Sequence, residues 1–222
     1  MTSGGVTSAG VTPGPPARRR VVFVNRFYWP DHSATAQILT DLATGLATQG
    51  WAVTVIASRL RYEGGALLAA RESHAGVTIQ RVATTRFGRD TLLGRAIDYA
   101  SFYLTAMLAA WRTLRRGDIL VAKTDPPLLQ VPLSLVSWLR AARQINWMQD
   151  VYPELAVGLG FRRLAGWPGA LLTRLRTWSI RGSATTVAIG ARMKETLVAA
   201  GADAAAIAEI HNWGDVGARR AG

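Results

Sequence analysis

Short β-branched and aliphatic runs alternate with longer stretches of helical periodicity from about residue 20 to residue 212. The strand-like runs are Val21–Asn25, Val53–Ser58, Val77–Ala83, Ile119–Lys123, Gln144–Met148, Thr185–Ile189 and Ile207–His211. Several are apolar almost throughout, as expected of strands buried on both faces of a parallel sheet. Between them the pattern predicts helices over Ala34–Thr48, Asp90–Arg115, Leu128–Ala141, Pro168–Arg181 and Ala191–Ala200. In the second of these, Leu93, Ile97, Ala100, Leu104, Met107, Leu108 and Trp111 recur at steps of three and four and give a continuous apolar stripe. Asp90 or Thr91 can cap its start, and Gly50 and Gly201 fall where helix C-caps belong. Alternation of this regularity predicts a doubly wound, Rossmann-like α/β domain with a mainly parallel sheet of about seven strands.

In such a sheet the ligand crevice lies outside the carboxyl ends of the strands, so the residues that follow each strand carry the functional information. After the first strand come Asp31 and His32, then the small residues Ser33, Ala34, Thr35 and Ala36 at a helix start. Small side chains there let a phosphate approach free backbone N–H groups, although a plainly capped helix explains the same residues. The fourth strand ends in Lys123-Thr124-Asp125-Pro126-Pro127, where Asp125 is either a cap or a cleft residue. The fifth runs into Gln149-Asp150-Val151-Tyr152-Pro153-Glu154. An amide, two carboxylates and a phenol are costly to set beside a core unless they face a cleft. Neither a GxGxxG turn nor a GxxxxGK[ST] loop is present, so neither a nicotinamide site nor a P-loop is supported.

Composition narrows the choice. The 222 residues contain no cysteine, which excludes disulfides and thiolate chemistry. His32, His74 and His211 are scattered, so no metal site is expected. No uncharged stretch reaches the ~20 residues needed to span a bilayer. Residues 1–19, rich in Gly, Ser, Thr and Pro, read as a flexible tail, and no signal peptide is evident. The formal net charge is +12, and of the 26 basic residues all but Lys123 and Lys194 are arginine. Between Glu154 and Glu195 no acidic residue interrupts Arg162, Arg163, Arg174, Arg176, Arg181, Arg192 and Lys194. A field of one sign attracts phosphate. Over Trp167–Arg181, Leu171, Leu172, Leu175 and Trp178 share a face flanked by Arg174, Arg176 and Arg181. Such a helix either packs on the sheet or rests on anionic lipid with Trp178 at the interface and Arg174, Arg176 and Arg181 reaching phosphates.

Four segments, "FYWPDHSATAQILTDLATGLATQGWAVTVIAS", "TDPPLLQ", "WMQDVYPELAVGLG" and "HNWGD", occur in one order over Val21 to Trp213. In these the chain resembles the N-terminal, acceptor-side domain of glycosyltransferase family 4, one half of a GT-B fold, and most of all bacterial enzymes of colanic acid and O-antigen biosynthesis. The resemblance implies a cytoplasmic enzyme that moves a sugar from a nucleotide-sugar to a glycan, commonly one carried on a polyprenyl-diphosphate lipid at the inner face of the membrane. It implies no obligatory metal and no other cofactor. By position, Ser33 and Ala34 would lie near the donor diphosphate and Asp150 at the reaction centre. Asp31, His32, Asp125, Tyr152 and Glu154 would line the acceptor cleft. Family members add a second nucleotide-binding domain with two glutamates eight positions apart. No two of Glu63, Glu72, Glu154, Glu195 and Glu209 have that spacing. The expectation is therefore an acceptor-side domain over residues 20–213, followed by a residual tail over 214–222, that transfers sugar poorly or not at all alone. A non-catalytic acceptor- or membrane-binding module is the nearest alternative. A nucleic-acid-binding domain would need aromatics interleaved with its arginines, whereas several Trp and Tyr fall on apolar helix faces; no nucleic-acid partner is expected.

Overall fold

The computed structural model describes residues 19–64, 66–88, 91–161 and 165–213. Nearly all of the expected N-terminal tail, the tail at 214–222, Asp90, Arg162 and Arg163 lie outside the described residues. The strands are β1 (Arg20–Val24), β2 (Ala52–Ser58), β3 (Arg71–His74), β4 (Val77–Val82), β5 (Ile119–Lys123), β6 (Arg143–Trp147), β7 (Thr185–Ala188) and β8 (Ile207–Glu209). The helices are α1 (Ala34–Thr48), α2 (Leu92–Thr113), α3 (Gln130–Leu139), α4 (Glu154–Gly158), α5 (Trp167–Gly182) and α6 (Ala191–Ala199). They build a Rossmann-like α/β unit on one sheet of order β3-β4-β2-β1-β5-β6-β7-β8. Every pairing is parallel except that of β3 with β4.

This order, with right-handed crossovers, decides which face each helix covers. The connections that step from β4 through β5, β6 and β7 to β8 all run in one direction and lay their helices on one face. Phe102, Ala106, Ala109 and Ala110 of α2 and Leu133 and Val136 of α3 pack there on Val22, Val24, Leu120 and Ala122. The β1-to-β2 connection runs the other way and puts α1 on the opposite face, where Ile38, Leu39 and Ala43 meet Val21, Phe23, Val53 and Val55. Beyond α1 that face carries an apolar cavity of about 300 Å³ walled by Phe23, Leu46, Trp51, Val121, Trp147 and Trp213. Trp213 stacks on Trp147 with ring centroids 5.9 Å apart.

Local signals act where they were expected. Thr91 Oγ1 accepts a hydrogen bond from Gly94 N at 3.0 Å and caps α2. Gly50 and Gly201 close α1 and α6 at φ 86° and 90°, a conformation an L side chain resists. Helix α5 departs from the expectation. Its buried positions are Gly169, Arg176, Thr177, Ser179 and Ile180, while Leu171, Leu175 and Trp178 face outward, Trp178 at 53% exposure. The helix meets the body through polar contacts. Ser179 Oγ lies 2.7 Å from Ser134 Oγ of α3, and Asn146 Nδ2 of β6 donates toward Ser179 O at 3.4 Å.

The packing predicts a sharp contrast along α2. Phe102 is fully buried and Leu104 is 70% exposed. Phe102→Ala should lower unfolding free energy by about 3–5 kcal/mol, and Leu104→Ala by no more than about 0.5 kcal/mol. Urea denaturation of both variants checks this.

Candidate functional site

The chain reverses its direction of travel across the sheet between β1 and β5, and in open α/β sheets ligands bind at the carboxyl ends beside such a reversal. Arg26, the second residue after β1, donates its backbone N–H to Asp125 O at 2.9 Å and holds the two ends together. The Arg26 guanidinium lies 5.2 Å from the Phe27 ring centroid and 5.1 Å from that of Tyr99, which reaches in from α2. Tyr103, one turn further along α2, donates its hydroxyl to Pro127 O. Each of the loops after β1, β5 and β6 contains a cis proline peptide, at Trp29-Pro30, Asp125-Pro126 and Tyr152-Pro153.

Asp125, Asp150 and Tyr152 fall in one electrostatic neighbourhood with Tyr99. Burial raises the Tyr152 hydroxyl pKa, and the charges of Asp150 and Asp125 add to the rise. Asp150 stays open to solvent on one side. Partial desolvation nevertheless raises its carboxyl above the ordinary range. A carboxyl so displaced can take up and release a proton closer to neutral pH than a free aspartate.

Ser33 stands at the N-cap of α1, yet its side chain makes no capping hydrogen bond. Its hydroxyl oxygen is buried without a hydrogen-bond partner among the described residues. Ser33 O instead accepts from Ala36 N and Gln37 N. Beneath this turn, Lys123 is completely buried. Its ammonium donates to Thr35 O at 3.1 Å and sits 3.9 Å from the Trp147 ring centroid. Burial lowers the Lys123 pKa to about 7, with the charge of Asp125 opposing the fall. A cation in that place adds positive potential behind the amino end of α1, where the helix dipole already favours an anion.

The other residues singled out in the sequence divide among three places. Asp31 is buried. It accepts from Tyr62 N at 2.9 Å and lies 4.0 Å from Arg61, so it ties down the loop after β2. With exposed His32 it lines a separate recess of about 190 Å³ that also holds Trp29, Gln37 and Asp41. Glu154 opens α4, where it accepts two hydrogen bonds from Arg176, at 2.5 and 2.9 Å. Burial works against its ionisation, but the bonds and charge of Arg176 outweigh it, and the Glu154 pKa is lowered. Arg174, Trp178 and Arg181 lie on the outer surface. Arg176 does not. It is 0% exposed, and besides Glu154 it donates to Tyr152 O at 2.6 Å. The expectation that Arg176 belongs to a lipid-facing surface is thus corrected: position 176 falls on the inward stripe of α5, and its charge is neutralised by Glu154.

Sequence reasoning missed a group of arginines. Arg26, Arg61 and Arg86 line a polar cavity of about 310 Å³ with Phe27, Tyr62 and Asp98. They come from three loops, each at the carboxyl end of a different parallel strand. The strand-end rule that found Asp125 and Asp150 would have found them too, had the abundance of arginine not made each look ordinary.

Comparison with known proteins agrees with this architecture. A family model described as a glycosyl transferase 4-like domain matches residues 33–213. The structure resembles a crystal structure of Anabaena Alr3699/HepE in complex with UDP and glucose, at 13% identity and a TM-score of 0.54, over 89% of this chain and 45% of that one. A second, of the same protein in complex with UDP-glucose, aligns at 14% identity and a TM-score of 0.53, over 88% of this chain and 44% of that one. The chain therefore spans less than half the length of the structures it matches. No curated protein sequence matches it.

Lys123 sets a pH dependence of stability. Its folded pKa of about 7 lies below the ordinary 10.5. Between those values the unfolded chain binds a proton that the folded chain has shed, so stability rises with pH. Lys123→Met removes this contribution. From pH 7.5 to 9.5 wild-type stability should gain on the variant by about 2 kcal/mol, as measured by urea unfolding at both pH values.

Proposed function

Because the chain belongs to the glycosyl transferase 4-like family, we propose that it forms the acceptor-side half of an enzyme that moves a sugar from a nucleotide-sugar to a lipid-linked glycan. The observation that carries this reading is what gathers at the carboxyl ends of β1 and β5, where the sheet's strand order reverses. An anion-favouring helix start lies on one side and the Asp125, Asp150 and Tyr152 group on the other. The amino end of α1, with Ser33 and Ala34, faces the donor diphosphate and stabilises the charge that develops as the glycosidic bond breaks, and Lys123 adds to that field in its protonated form. Asp150 acts at the acceptor hydroxyl, where its raised pKa suits proton transfer. The solved relative holds UDP-glucose in a chain about twice as long, which supports a nucleotide-binding half outside this one. On this reading the chain alone binds acceptor and turns over poorly.

The assay follows labelled sugar from a nucleotide-sugar into an organic-soluble lipid fraction. The chain is tested alone and fused to the nucleotide-binding half of the Anabaena relative. Transfer is expected from the fusion only, and Asp150→Asn in the fusion should lower kcat by about 10²-fold or more. Unchanged kcat in that variant would remove Asp150 from the mechanism.

A lipid-linked acceptor places the enzyme at a membrane surface, and the outer face of the helical layer is suited to one. Among the described residues no helix is long and apolar enough to cross a bilayer. Yet Trp167, Leu171, Leu175 and Trp178 form an exposed row along α5, flanked by Arg174 and Arg181, and Trp138 of neighbouring α3 is 76% exposed. We propose peripheral binding to an anionic bilayer through this row, at the inner face of the cytoplasmic membrane. The double variant Leu171→Glu/Trp178→Glu should lose most of its flotation with vesicles containing phosphatidylglycerol, and equal flotation of both proteins would exclude this surface.

A further inference from the structure

The arginine cavity described above is less cationic than its guanidiniums suggest. Arg61 Nε faces Asp31 at 4.0 Å, Arg86 has a partner of its own, and the carboxylates of Asp98 and Glu63 belong to the same lining. A diphosphate carries more negative charge than such a lining offsets. Arg26 differs from the other two arginines. Among the described residues its side chain makes no hydrogen bond and no ion pair, and its Nε is buried without an acceptor. What the cavity offers is a single uncompensated guanidinium, which suits a singly charged anion.

Aromatic rings hold this guanidinium in place. It lies 5.2 Å from the ring centroid of buried Phe27 and 5.1 Å from that of Tyr99. Stacking orients the planar fork ahead of any ligand, so little freedom is lost when it meets an acceptor. With Nε on the buried side and the residue partly exposed at the cavity wall, the Nη atoms form the open edge. A planar carboxylate meets such an edge through two parallel hydrogen bonds. Phe27 and Tyr62, whose rings meet edge to face at 5.3 Å, supply flat apolar wall beside it. The volume of about 310 Å³ has room for a sugar ring.

We propose that Arg26 is a specificity-determining residue that binds the carboxylate of an acidic sugar, a uronic acid, in the acceptor glycan. The assignment rests on the transferase reading and narrows its substrate. Arg26 is bonded through its backbone to Asp125. The charges of Arg26 and Asp125 both act on the Tyr103 hydroxyl, and those of Asp125 and Asp150 on the Tyr152 hydroxyl. The cavity therefore adjoins the group proposed to act on the acceptor. An acidic sugar brought there meets the like charges of Asp98, Asp125 and Asp150, and Arg26 offsets them. A neutral sugar leaves the fork unpaired, so the same residue that admits the acid disfavours its neutral counterpart.

NMR titration of the full chain tests the site without any sugar transfer. Methyl glucuronide is compared with methyl glucoside, with its own methyl ester, and with methyl glucoside 6-phosphate. The glucuronide should bind at least about tenfold more tightly than the glucoside or the ester, a difference of about 1.4 kcal/mol. The ester keeps the sugar and removes only the charge, so that comparison needs no altered protein. The 6-phosphate, with its anion on the same carbon, should bind no more tightly than the glucuronide. Arg26→Gln should bring the glucuronide to the affinity of the glucoside and leave the glucoside unchanged. Equal binding of glucuronide and ester, no binding of the glucuronide, or a full glucuronide preference in Arg26→Gln would overturn the proposal. Tighter binding of the 6-phosphate would overturn the carboxylate in favour of a phosphorylated sugar. Any of these failures leaves the transferase reading standing on its own assay. The expected preference beside a fusion that transfers no sugar would sink the transferase reading and keep the site.

Discussion

The structure depends on a constraint of handedness. Because crossovers between parallel strands are right-handed, a chain that first steps from β1 toward β2 and later enters from β4 to β5 must change direction between β1 and β5. That change separates α1 from the other long helices and makes the carboxyl ends of β1 and β5 the switch point of the sheet. The hydrogen bond from Arg26 N to Asp125 O joins these two strand ends. Asp125 follows one strand and Arg26 the other, while Tyr99 arrives on the helix that precedes β5. The candidate site is thus assembled from residues as much as 126 positions apart, Arg26 and Tyr152, held together by the order of strands.

Buried cations then fix the loops above the sheet. Arg81 of β4 donates to Trp29 O at 2.6 Å and to Ala69 O at 3.2 Å, and pairs with Glu72, which ties the loop after β1 to the far edge of the sheet. Arg176 grips Tyr152 O and Glu154 and fixes the loop after β6. Lys123 holds the first turn of α1 from below. Each is fully buried at its side chain or nearly so, a costly choice that is tolerable because carboxylates and carbonyls accept the donated protons. In each case the loop held by the cation contributes to the cleft.

Much of the fold was legible in the sequence because its signals were local. The expected bounds of α1 are those observed, since Ser33 and Gly50 mark both ends. Strand β3 was missed for an equally local reason. Arg71-Glu72-Ser73-His74 is polar throughout, and its hairpin turns through Ala75 and Gly76 at φ 47° and 81° without the Asn-Gly or Asp-Gly pair that usually announces such a turn. Helix α4, of five residues, is too short for a periodic pattern. The inverted face of α5 was hidden because leucine and tryptophan usually mark the inward side. Here Arg176 and Ser179 have partners that only tertiary structure supplies. For the site, Asp125, Asp150 and Tyr152 stood out as polar residues at the ends of apolar strands. Arg26, Arg61, Arg86 and Tyr99 did not: the arginines follow strands but look ordinary in a chain this rich in arginine, and Tyr99 lies in the middle of a helix.

The stacking of Trp213 on Trp147 reaches further than the apolar recess it closes. Trp147 lies against the ammonium of Lys123, and that ammonium holds the carbonyl of Thr35. An indole at the end of the described chain is therefore linked, through one more indole and one amine, to the opening turn of the first helix. Whatever pulls on residue 213 has a short mechanical route to the backbone amides of that turn.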